Sequence, residues 1–84
     1  MAGKELKLSG GNMAWLEEEI AVHFGHEEGT QYLIGNFCRR EVYKIENTLY
    51  HVDYKPWEFG VQHYWHLYEA NKECYEYFNI EYPY

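Results

Sequence analysis

Long hydrophobic runs are missing from this chain: apolar stretches are only a few residues long, and none is long enough to span a membrane as a helix. Cysteine is scarce. Cys38 and Cys74 are the two present, too few for a disulfide framework, and the expectation is free, partly buried thiols in a reducing compartment. A single Cys38–Cys74 bridge is the alternative. Only three hydroxyl residues of the serine–threonine type occur, Ser9, Thr30 and Thr48, and none sits in a nucleophile motif. Gly35 and Gly60 stand alone, so no glycine-rich loop is available to cradle a phosphate. Basic residues are outnumbered, 7 against 14 acidic ones, for a net charge of −7. Direct binding of nucleic acid by neutralising phosphates needs the opposite sign, which argues against it.

These shortages leave catalysis with little support. A cysteine paired with one of the five histidines would make a nucleophile, but no local motif marks such a pair. Carboxylate pairs occur throughout an acidic chain and decide nothing. The expectation is a protein that is not an enzyme, with no catalytic residue and no cofactor.

What the chain does have is apolar and aromatic content. Apolar residues make up 46% of its 84 residues and aromatics 20%, well above a disordered composition. One domain over 1–84 with a modest core is expected. Ten of the aromatics are tyrosines, whose rings bury well but whose hydroxyls need a partner or water. Many must lie near the surface of so small a domain, as they do at contact surfaces.

The periodicity predicts α+β: one N-terminal amphipathic helix packed on an antiparallel sheet of four to six strands. Residues 4–8 alternate, with Leu6 and Leu8 on one side, as a short edge strand does. Met13, Leu16, Ile20 and Phe24 recur at spacings of three and four, predicting a helix over about 12–24. Asn12 is its expected N-cap, Glu17 to Glu19 suit the positive end of its dipole, and Gly25 is its expected left-handed stop. Gln31 to Cys38 is apolar on both faces, the pattern of a central strand. Residues 40–46 and 48–54 alternate around an Glu46-Asn47 turn, a register that sets Tyr43 opposite Tyr50, Ile45 opposite Thr48, and Arg40 against Asp53 as an ion pair. Lys55-Pro56 ends that strand. Residues 61–68 alternate, and Cys74, Phe78 and Ile80 extend a second run beyond Ala70-Asn71-Lys72. This predicts a hairpin, with one helix over roughly 62–78 as the rival.

The charge is uneven. Residues 1–28 and 57–84 each carry net −4, and 29–56 carry +1. The last third also holds ten of the seventeen aromatics. As a hairpin it would set Tyr64, His66 and Tyr68 on one face with Glu73, Tyr75 and Tyr77. With Glu58, Glu69 and Glu76 these form the expected partner-binding surface. Rings supply contact area, and carboxylates complement Lys and Arg. The plain alternative is a solvated, Tyr-rich sheet face, and such a face is equally suited to closing a homodimer. His23 with His26, and His63 with His66, offer zinc-capable ligands without zinc-finger spacing; on a strand His63 and His66 would point to opposite faces.

One segment carries a family likeness. Asp53-Tyr54-Lys55-Pro56-Trp57 followed by Val61-Gln62 resembles a stretch of the phage uracil-DNA glycosylase inhibitors, over about ten of the 84 residues. The resemblance implies a small acidic helix-plus-antiparallel-sheet protein that blocks an enzyme by imitating DNA; it assigns no residue roles. More broadly the chain is similar to the small acidic inhibitor proteins of phages and mobile elements, anti-CRISPR proteins among them. The function expected is therefore an inhibitor that docks on a basic protein surface, that of a nucleic-acid-handling enzyme or defence complex. The alternatives are an immunity-type protein neutralising a toxin and a small metal-binding regulatory domain. No basic segment leads into an apolar run after Met1, so the expected location is cytoplasmic, in the host cell if the protein is phage-encoded.

Overall fold

The computed structural model describes residues 4–9, 16–55 and 64–84. Five strands form one antiparallel sheet: β1 (Glu5–Ser9), β2 (Leu33–Phe37), β3 (Arg40–Ile45), β4 (Thr48–Lys55) and β5 (Tyr64–Glu69), in the order β1-β5-β4-β3-β2. Two helices, α1 (Leu16–Phe24) and α2 (Lys72–Tyr77), complete it. The fold is α+β with an antiparallel sheet, as expected, and the sheet is open. The helix content differs: a second helix, α2, is present.

The β3–β4 hairpin has the expected register, with Tyr43 opposite Tyr50 and Ile45 opposite Thr48. Glu46 takes the positive φ of the tight turn. Among the described residues β1 lies at an edge, paired with β5 alone. Gln31–Cys38 does not form a central strand. Its strand β2 pairs only with β3 and occupies the opposite edge. Leu33 and Ile34 stay 45% and 38% exposed, so its apolar run does not mark burial on both faces. Tyr32 joins the core beneath α1, and Phe37 packs toward α2.

The last third is neither the expected hairpin nor one long helix. Tyr64–Glu69 is a strand held between β1 and β4, and the chain then turns into α2. Asn71 caps that helix, its side chain accepting from the Cys74 N–H at 3.0 Å. Cys74 and Phe78 are four apart and enter the same cluster, a helical spacing that also reads as alternation.

Each sheet face has its own core. On one face Leu8, Tyr43, Ile45, Tyr50, Trp65 and Leu67 pack beneath Leu16, Ile20 and Ala21 of α1. On the other, Val42 and Leu49 pack beneath Ala70, Cys74 and Tyr75, with Phe78, Ile80 and Tyr82 of the C-terminal segment. α1 ends as expected at Gly25, with φ +72°. The His26 N–H reaches the Ala21 carbonyl at 2.9 Å and the Gly25 N–H the Val22 carbonyl at 3.4 Å, the paired bonds of a Schellman stop. Asn12 and Met13 lie outside the described residues.

Glu17 fixes where α1 meets the sheet. Its carboxylate accepts from the backbone N–H groups of Tyr32 and Leu33, at 2.5 and 3.3 Å. Hydrogen bonds to a charged group contribute about 1.5–3 kcal/mol, more than an exposed ion pair at about 0–1 kcal/mol. Replacing Glu17 with Ala is therefore expected to cost about 2 kcal/mol, with Glu17→Gln losing less because an amide oxygen still accepts. Urea denaturation measures both; equal stability of Glu17→Ala and the parent would show that the carboxylate does not hold β2.

Burial, followed by the charges of Glu41 and Glu17, pushes the Tyr43 phenol from 10.0 up to about 12. Its folded form holds a proton that the unfolded form has lost. This stabilisation is complete below pH 10 and disappears as pH rises through 12. Over that window one such phenol lowers stability by about 1.4 kcal/mol per pH unit. A Tyr43→Phe variant should show a shallower decline by that amount in denaturation series from pH 10 to 12.

Candidate functional site

β5 alternates, and its odd and even positions go to different environments. Trp65 and Leu67 are fully buried in the core beneath α1. Tyr64, His66 and Tyr68 stand on the other face, half-buried. The register places Tyr68 beside His51 of β4 and Glu5 of β1, and His66 beside Asp53 and Lys7. This polar area borders the part of the same face that α2 covers.

The contacts bind these side chains into one surface. The Arg40 guanidinium donates to the Tyr68 hydroxyl and lies 5.6 Å from the ring centroid. Arg40 thus turns to Tyr68 and not to Asp53, the partner expected from the hairpin register. The rings of His51 and His66 flank Tyr68 at 5.7 and 5.6 Å. His51 Nδ1 lies 3.2 Å from the Glu41 carbonyl oxygen. A carbonyl only accepts, so the proton of this contact resides on Nδ1. His66 Nε2 lies 3.8 Å from Glu5, and Lys7 Nζ sits 5.6 Å from the Tyr64 ring centroid. Burial, then Asp53, pushes the Tyr68 phenol up, with Arg40 opposing.

The sequence-expected surface is redistributed. Tyr64, His66 and Tyr68 do share a face. Their neighbours Lys7 and Arg40 offset Glu5 and Asp53, so this strand face is balanced and not acidic. Glu73 and Glu76 are exposed on α2. Tyr77 is 65% exposed there, its ring braced by Phe37 and Phe78 at centroid distances of 5.1 and 5.0 Å. Tyr75 is fully buried, because α2 turns it beneath the helix, and does not belong to a contact surface. Glu58 lies outside the described residues.

Glu69 is likewise committed inward. One carboxylate oxygen accepts from the Tyr75 hydroxyl at 2.9 Å. The other accepts from the Tyr84 hydroxyl at 2.9 Å and the Lys4 N–H at 3.2 Å. Tyr75 in turn accepts from the Leu49 N–H at 2.8 Å. One carboxylate thus joins the start of β1, α2 and the C-terminal residue. Burial is the main cause that pushes the Tyr75 phenol well above its ordinary range.

The cysteines are free, Cys38 exposed and Cys74 buried. Burial, then the nearby Cys38, pushes the Cys74 thiol up and keeps it protonated. His26 bonds the Tyr32 hydroxyl at 2.8 Å and lies 3.6 Å from Glu46, and His63 is outside the described residues. Among the described residues, no three His, Cys, Asp or Glu side chains gather as a metal site would require, and no helix is long and apolar enough to cross a membrane.

Arg40, His51, Glu5 and Lys7 were missed by sequence reasoning. The β3–β4 alternation marked the face of Arg40, but the pairing of β5 with β1 and β4 has no local signal. No family model, curated protein or solved structure matches the chain. Removing the Tyr75 hydroxyl strands the Leu49 N–H, so Tyr75→Phe is expected to lose about 1–3 kcal/mol. A thermal or urea unfolding series measures this, and an unchanged midpoint would mean water replaces the hydroxyl at no cost.

Proposed function

We propose that this protein is a non-enzymatic, cytoplasmic, protein-binding inhibitor that docks on a basic surface of a nucleic-acid-handling protein. It acts by occlusion or by imitating phosphate charge, in the manner of the small acidic phage inhibitors that its 53–62 segment resembles. The observation that carries this reading is Tyr77: a ring two-thirds exposed on α2, the helix that also exposes Glu73 and Glu76. α2 carries these two carboxylates against one basic residue, Lys72, at its start. A ring held by Phe37 and Phe78 loses little freedom on binding, which is the property of an anchor. Carboxylates around it favour a partner rich in Lys and Arg. The adjoining Tyr64, His66 and Tyr68 face extends the contact area with balanced charge, suited to fixing orientation.

The test starts from the partner captured from host lysate. Its affinity should fall at least about tenfold, or 1.4 kcal/mol, in Glu73→Lys/Glu76→Lys and in Tyr77→Ala. Added salt should weaken binding by screening. An uncharged partner patch, with affinity indifferent to salt and to the charge reversals, would overturn the reading.

A further inference from the structure

The turn between β2 and β3 departs from what its backbone favours. Cys38 and Arg39 link Phe37 to Arg40, and both have positive φ, 54° and 64°. A two-residue hairpin turn of this kind selects Asn-Gly or Asp-Gly, because a Cβ at positive φ crowds the following carbonyl. Here neither position is Gly, Asn or Asp. At the β3–β4 turn Glu46 also has a positive φ, 58°, but its carboxylate lies 3.6 Å from His26 Nε2. The Cys38-Arg39 turn has no such internal contact to offset its strain. Both residues are exposed, and Arg39 makes no hydrogen bond, ion pair or ring contact among the described residues. Its neighbour Arg40 is held by Tyr68 instead. Strained residues that the fold itself does not use are found where a protein touches something else.

The place of this turn is the second observation. Phe37, directly before Cys38, sets its ring 5.1 Å from that of Tyr77. The Phe78 ring lies so close to Gly35 that a Cβ there would meet it at 3.1 Å. The turn therefore adjoins the end of α2 that presents Tyr77. We infer that the Cys38-Arg39 turn is a second contact element beside Tyr77, in which Arg39 takes a carboxylate on the partner protein. This rests on the docking reading of α2 given above. Charge supplies the choice. Glu73 and Glu76 favour Lys and Arg across the interface, and any basic patch satisfies them. A guanidinium at the border of that surface is repelled by a uniformly basic patch and accepted where a carboxylate interrupts it. One cation among acids thus narrows the choice of partner and fixes its orientation.

The test uses the full chain and the protein captured on it from host lysate, with circular dichroism to confirm that each variant is folded. Cys38→Asn/Arg39→Gly supplies the residues that the backbone favours. It should raise the melting midpoint by about 4–8 °C and yet weaken affinity for the captured protein at least about tenfold. Arg39→Glu should weaken it at least as much, and Arg39→Lys should keep part of it, because the charge remains without the guanidinium fork. In the parent, alkylation of the exposed Cys38 by iodoacetamide should slow at least about tenfold when the captured protein is bound, with the buried Cys74 unreactive throughout. Turn variants that bind like the parent, or an unchanged alkylation rate, would overturn this inference while Tyr77→Ala and Glu73→Lys/Glu76→Lys still weaken binding and keep the α2 reading. A Cys38→Asn/Arg39→Gly chain that melts lower than the parent would also overturn it, since the turn would then not be strained. If Tyr77→Ala and the charge reversals change nothing, the α2 reading fails and this inference with it.

Discussion

The pairing of β5 between β1 and β4 is the contact on which the remainder of the molecule depends. β2, β3 and β4 are joined by tight turns and can form from local sequence. Among the described residues β1 pairs with β5 alone, and α2 follows β5 directly. The strand also contributes Trp65 and Leu67, both fully buried beneath α1. Truncating a buried Leu or Trp costs about 2–5 kcal/mol, a large share of a small domain's stability. Without this pairing, β1 loses its neighbour, the core beneath α1 loses its floor, and the Tyr64–His66–Tyr68 face does not assemble.

Much of this fold was legible in the sequence where interactions are local. The stripe of Leu16, Ile20 and Phe24 marked α1, and Gly25 marked its end. The alternation on either side of Glu46-Asn47 fixed the hairpin with its register. The errors arose where a pattern had two physical causes. Apolar residues on both faces of Leu33–Phe37 suggested a central strand. The run is an edge strand instead, with Phe37 packed toward α2 and Leu33 and Ile34 left exposed. Cys74, Phe78 and Ile80 satisfy alternation, and Cys74 with Phe78 satisfies a helical turn equally. Asn71, capping three residues before Cys74, is the local signal that decides for the helix.

The candidate site was legible only in part, for the same reason. Tyr64, His66 and Tyr68 were placed on one face because a strand alternates. The balance of charge around them was not, because Lys7 and Arg40 arrive from strands distant in sequence. Counting charge by segment made the last third uniformly acidic. The fold divides it instead, committing Glu69 to hydrogen bonds with Tyr75, Tyr84 and Lys4, and leaving Glu73 and Glu76 in solvent. Tyr75 and Tyr77 are two residues apart and would share a face on a strand; on α2 one is buried and the other exposed.

The charged edge at β1 has a consequence for assembly. A sheet with two receptive edges can add copies without limit, as fibrils do. Here Glu5 and Lys7 put charge on the β1 edge, so that edge resists the strand addition by which fibrils grow.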